Sequence, residues 1–210
     1  MEQMNFMPNM ISTTSLPARK PSDEYLIAPG VTVACYRKLL GTDPPNRREL
    51  ASMVRRRFES RFVEPVCCNG AVRGGFAALA LCCLAIQALQ SFRSGAAKSG
   101  AEAAIKKFIR DNAEFSSLRG HEHAFCVNVR NALHHQAQTD GGWRINLSGP
   151  VFEPNSLSIG AQKFVQGFLA ALARYCSELA RTTNASPLWK SFLSKMEAII
   201  KACDSELAPQ

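Results

Sequence analysis

The chain has 210 residues, 46% apolar and 20% charged, an ordinary globular composition in a length that one hydrophobic core can organise. Lys and Arg exceed Asp and Glu by 25 − 17 = 8, and the sequence pI is about 9.3. Such a balance points to a polyanionic partner, with nucleic acid first, and away from an acidic, self-repelling chain. The opening MEQMNFMPNM has no basic stretch leading into an apolar run, so a secretory signal is not expected.

Eight cysteines invite a disulfide or metal reading, but Cys35, Cys67-Cys68, Cys82-Cys83, Cys126, Cys176 and Cys203 contain no C-x-x-C. Most lie among apolar residues at helical positions, as small hydrophobes do in a reducing compartment. His121, His123, His134 and His135 lack thiolates at zinc-finger spacing, so neither a metal nor another cofactor is expected.

Residues 1–30 hold Pro8, Pro17, Pro21 and Pro29 among polar residues and read as a flexible or loosely docked arm, with a single helical domain over 31–210. Val31–Leu40 suits a short strand or helix, stopped by Gly41-Thr42-Asp43-Pro44-Pro45. Asn46 reads as a helix cap. Beyond it Leu50, Met53, Val54, Phe58 and Phe62 form an apolar stripe, and Pro65 is expected to end the helix. Its other face carries six arginines, including Arg55, Arg56 and Arg57, against Glu49 and Glu59. That face is either solvated surface or a phosphate-binding strip.

A second helix, near Val72–Phe92, is apolar almost all round and should be central. Its most hydrophobic part, Gly74–Leu89, falls short of the roughly 20 residues of a membrane span and contains Gln87. A membrane is therefore not an expected partner, and the cytoplasm is the expected location. The third helix, Glu102–Asn112, turns Ala104, Ile105, Phe108 and Ile109 inward and Lys106, Lys107 and Arg110 outward.

A fourth helix, about His121–Gln138, carries Arg130, Asn131, His134 and His135 beside a stripe of Phe125, Val129 and Leu133. At 100° per residue His134 lies about 40° from Arg130, and His135 stacks one turn after Asn131. Asp140-Gly141-Gly142 is turn chemistry. Alternation over Trp143–Leu147 predicts a strand, returning as a hairpin near Val151–Ile159. Two long helices follow. Phe164, Phe168, Leu172, Tyr175, Cys176 and Leu179 face inward in the first. Trp189, Phe192, Leu193, Met196, Ile199, Ile200 and Cys203 do so in the second, which begins near Pro187. The fold class expected is all-α, a bundle of five to six helices with a small β-hairpin insertion after the motif helix.

Arg130-Asn131 followed by His135, four residues separating Arg from His, resembles the Arg-x4-His motif of the HEPN superfamily. Gln136 and Gly141-Gly142-Trp143-Arg144 resemble a bacterial branch of it, and the resemblance spans roughly residues 45 to 205. Glu102-x-x-x-Lys106-Lys107 is similar to an acidic-then-basic motif of some members. The resemblance implies a HEPN-like bundle and a metal-independent endoribonuclease of toxin or antiviral type. It also implies a homodimer, with RNA as substrate and an antitoxin or regulatory protein as a further partner.

The residues suit such chemistry. RNA supplies its own nucleophile, the ribose 2′-OH, so the protein must move protons and stabilise charge. His135 suits a general base or acid. Arg130 suits a phosphate clamp, Asn131 an orienting group, and His134 a second histidine or an RNA contact. Two departures are visible. Gln87 stands where members of the family often carry an acid in the second helix. Gln136-Ala137 stands where toxins neutralised by nucleotide transfer have x-Tyr. The alternative is a catalytically inactive helical RNA-binding or protein-docking module. A small-nucleotide site is disfavoured, since Val72-Arg73-Gly74-Gly75 is too short for a phosphate loop.

Overall fold

The computed structural model describes residues 22–67 and 75–205. The elements in order are β1 (Leu26–Ala28), β2 (Val31–Thr32), α1 (Val33–Leu40), α2 (Arg47–Phe58), α3 (Glu64–Cys67), α4 (Gly75–Ser94), α5 (Ala101–Asp111), α6 (Glu122–Phe125), α7 (Ala132–Gln136), β3 (Arg144–Asn146), β4 (Ser158–Gly160), α8 (Ala161–Arg181) and α9 (Pro187–Ser205). The protein is mainly helical, as its periodicity predicts, with two small two-stranded sheets.

Local chemistry sets several boundaries. Thr32 Oγ1 accepts from Cys35 N–H at the start of α1, and Asn46 Oδ1 accepts from Glu49 N–H at 3.2 Å at the start of α2. The stripe Leu50, Met53, Val54 and Phe58 is buried against α8. Gly95, in the left-handed region at φ 76°, closes α4 and packs on the Ser191 backbone, where a side chain would meet it at about 3 Å.

α4 sits in the centre, against α5, α8 and α9. Leu79, Cys82, Cys83, Ala85, Ile86, Leu89 and Phe92 are buried along it. By length and composition α4 could cross a membrane, which corrects the reading that it is too short, yet 56% of its apolar window is buried within the protein. That is how a core helix is placed.

Four expectations change. The described part of the expected arm is packed: Ile27 and Ala28 are buried, and β1 pairs antiparallel with β2. The arm residues 1–21 and the expected helix start near Val72 lie outside the described residues. Val31–Leu40 is both strand and helix, because Thr32 ends β2 and caps α1. Pro65 does not end its helix. A π turn at Glu59–Val63 precedes it, and the chain stays helical through α3. The wider turn, with Glu64 N–H bonded to Glu59 O, relaxes the crowding that a proline ring imposes on the preceding turn.

The expected hairpin is not one. β3 and β4 are parallel, with Arg144 opposite Ser158 and Asn146 opposite Gly160. The chain crosses over through Gly149 and the 3₁₀ turn Pro154–Ser156, because β4 must run directly into α8. Trp143 is buried and Ile145 partly so, as the alternation predicts, but Leu147 is exposed. Gly160 N–H bonds Pro150 O at 2.8 Å, and a Cβ on Gly160 would stand 2.4 Å from Gly149 O. Gly160→Ala should therefore cost about 1–3 kcal/mol by overpacking. Urea unfolding should show a lower midpoint at unchanged slope.

Candidate functional site

The motif helix is not a plain α-helix. Its start, α6, passes into a π turn at Cys126–Asn131 and re-emerges as α7. Phe125, Cys126, Val129 and Ala132 are buried, whereas Leu133 is only partly so. The extra residue in the turn thus advances the buried face relative to the even spacing that the sequence suggests. Phe125 fixes the helix, stacked on Phe164 with ring centres 5.5 Å apart and edge-on to Trp143. α7 ends at Ala137, a non-glycine residue in the left-handed region at φ 55°. The following turn grips the helix from below. Asp140 N–H donates to Asn128 O at 2.8 Å, and Gly141, at φ 58°, lies so close to the Asn128 amide that a Cβ would stand 2.9 Å from it.

Arg130 and His134 line a small cavity of about 50 Å³ with Ala80, Cys83, Leu84 and Leu133. Arg130 Nη1 donates to Asn131 Oδ1 at 2.9 Å. The His134 and His135 rings meet edge to face, with centres 4.9 Å apart. His135 is exposed and is not among the cavity walls. All four motif residues are therefore neighbours, but the imidazole sharing the cavity with Arg130 is His134. Cys83 in its wall is a neutral thiol, since burial pushes its pKa up to about 12.

Of the expected RNA contacts, Lys106 joins a network that reaches the start of the motif helix. Glu102 receives both Lys106 Nζ at 2.6 Å and His123 Nδ1 at 2.9 Å, tying α5 to α6. Those two bonds, Lys106 first, hold the Glu102 carboxyl below its usual range. Glu102, Lys106 and Arg130 all act on the buried Cys126 thiol. Lys107 points elsewhere and pairs with Asp111 at 2.8 Å. Arg55 and Arg56 are exposed on α2, with Arg55 bonded to Glu59 at 2.7 Å. Arg57 is not a free surface cation: it donates to Ile27 O, and burial beside Arg61 pulls its pKa down to about 10. These arginines stand on α2, which packs on α8, whereas α6 packs on α5 and α7 on α4.

Sequence reading missed the α4 side of the site. Phe76, Ala80 and Leu84 recur every four residues and leave Phe76 41% and Leu84 44% exposed, beside Val127 at 44% on the motif helix. The signal was the spacing itself, hidden in a helix apolar on every side. Gln87, the departure from the family pattern, donates through Nε2 to Cys83 O at 3.3 Å, and its own carbonyl accepts from Ser91 and Ser99. His121 lies against the Phe152 ring, centres 5.0 Å apart. No family model matches the chain, and comparison with curated proteins and with solved structures gives no match either.

The thiols give a direct check of this packing. Burial holds Cys83 and Cys176 at about 12 and Cys126 at about 11, whereas the hydrogen bond with Thr32 lowers the pKa of exposed Cys35. At pH 8 iodoacetamide should label Cys35, and Cys83, Cys126 and Cys176 should react only after denaturation. Peptide mass spectrometry of native and urea-treated protein reads the difference.

Proposed function

We propose that the chain is a cytoplasmic, metal-independent endoribonuclease of the HEPN type. It acts as a homodimer in a toxin or antiviral setting, with an antitoxin or regulatory protein as controlling partner. The observation that carries this reading is that Arg130 and His134 line one cavity on a half-exposed helix, with Asn131 hydrogen-bonded to Arg130 and the His135 ring against His134. Arg130 binds the scissile phosphate and stabilises the charge that grows on its oxygens. His135 takes the 2′-OH proton, the ribose oxygen attacks phosphorus, and the 5′-oxygen leaves with a proton from a second imidazole. The products are a 2′,3′-cyclic phosphate and a 5′-hydroxyl. His134 beside Arg130, or the same motif in a second copy, supplies that proton. Leu84 stands in the cavity wall, and with Phe76 on the same helix and Val127 on the motif helix, all exposed, it suits a surface covered by the second copy.

One observation favours the non-enzymatic reading. A cavity of about 50 Å³ holds little more than a water molecule, not a nucleotide. Under that reading the motif helix is part of an RNA-binding or protein-docking surface.

Cleavage assays separate the two. Activity should survive EDTA, and a substrate with one 2′-deoxy nucleotide at the cut position should resist. Arg130→Ala and His135→Ala should each lower the rate roughly a hundred- to ten-thousand-fold with helical content retained. Loss confined to His134→Ala would assign the base to the cavity histidine. RNA left intact by the wild-type chain establishes the docking module.

Sedimentation at micromolar concentration should give about 46 kDa, twice the chain mass of 23.0 kDa. Leu84→Asp should return it to the monomer mass and abolish cleavage, while Arg130→Ala stays dimeric. A monomer that cleaves RNA would refute the shared site.

A further inference from the structure

A second cavity lies away from the motif, between the C-terminal half of α4 and the first turn of α5. It holds about 230 Å³ and is walled by Gln90, Arg93, Ser94, Ser99, Gly100, Ala103, Ala104 and Lys107. No carboxylate stands in that wall. Gln90 is only 5% exposed, yet its Nε2, a donor with two hydrogens, meets no acceptor among the described residues. A buried amide left so is destabilising, and such groups are otherwise nearly always paired.

The helix end supplies a second set of donors. α5 begins at Gly100, which offers no side-chain cap, and the first intrahelical bond along it runs from Ala104 N–H to Gly100 O at 2.9 Å. The N–H groups of the turn before it are open, and the helix dipole places partial positive charge there. The carboxylate of that turn, Glu102, is taken by Lys106 and His123 and does not reach the cavity. Two cations stand on the rim. Arg93 and Lys107 hold Glu178 at 3.0 Å and Asp111 at 2.8 Å, both acids lying outside the wall.

We propose that this cavity is a binding site for a phosphate group. Gln90 Nε2 and the open N–H groups of α5 donate to its oxygens, and Arg93 and Lys107 neutralise its charge. Donors thus arrive from two helices, with no carboxylate in the wall, which suits a tetrahedral oxyanion. The alkyl parts of Ala103, Ala104 and the rim side chains leave room for a small ester substituent. The site is independent of the ribonuclease reading, because neither Arg130 nor the histidines line it.

Calorimetric titration of the full chain with inorganic phosphate, at ionic strength matched with chloride, should show one saturable site. A parallel titration with ribose 5-phosphate distinguishes free phosphate from a monoester: tighter binding assigns the monoester, weaker binding the free ion. Phosphate should also move the amide resonances of Ala101, Glu102 and Ala103. Gln90→Met keeps the volume and removes the donor, and should weaken binding roughly tenfold. Lys107→Met, at an exposed position that does not threaten the fold, should weaken it as well. Absence of saturable binding overturns the proposal. So does binding that both variants leave unchanged, which means an adventitious ion only.

Discussion

A run of touching aromatic rings crosses the molecule and fixes where its helices can lie. It passes from Trp189 and Phe192 of α9 to Phe92 of α4, Phe58 of α2 and Phe168 of α8. From Phe168 it continues through Phe108, Phe115 and Phe164 to Phe125 on the motif helix, then Trp143 and Phe152. Neighbouring centres lie 4.9–6.4 Å apart in tilted, edge or stacked contacts, the range in which ring pairs attract beyond their burial. Because the interior is close-packed, moving one ring displaces the next. The motif helix is thus positioned from behind, by Phe125 held between α8 and the strand region, and its polar residues need no role in folding.

The elements of this core were legible because each depends on a local pattern. The stripe from Leu50 to Phe58, the all-apolar α4 and the inward face of α8 needed only helical period and composition. What escaped depended on distant partners. Alternation over Trp143–Leu147 reveals a strand but says nothing of its mate, and the parallel pairing follows from where α8 must start. Pro65 is a helix breaker by itself and becomes tolerable only after the π turn before it. Ile27 and Ala28 sit in a stretch that reads as polar arm, and they are buried through pairing with β2.

The site was half legible for the same reason. Arg130, Asn131, His134 and His135 could be named because all lie within six residues of one helix. Their angular relation could not, since an even 100° step does not hold through a π turn. π turns are rare and often occur at functional sites. Here the turn spans Cys126 to Asn131, so Arg130 sits inside it and both histidines just after it. Ala137, in the left-handed region, ends the helix one residue after Gln136, in a conformation that costs a non-glycine residue of order 1 kcal/mol. One π turn and one left-handed non-glycine residue thus bracket the polar residues, while their counterparts lie at Glu59–Val63 and Leu157.

Charge places a further constraint on how such a site could meet RNA. The excess of eight positive charges belongs to the whole chain, and several individual cations are held by carboxylates. Arg55 faces Glu59, Lys106 faces Glu102, Lys107 faces Asp111, Arg93 faces Glu178 and Arg174 faces Glu114. These exposed or half-exposed pairs are worth little to stability, so an incoming phosphate could exchange for the carboxylate at small cost. Arg130 differs: its described hydrogen bond goes to the uncharged Asn131, and no acid lines its cavity. Among the described residues it is thus one of the cations already free of a carboxylate. The α2 arginines stand on a helix that packs on α8, whereas the motif helix packs on α5 and α4. Removing Arg130 should then affect the site more than removing a surface cation outside it, because Arg130 lines the cavity beside His134.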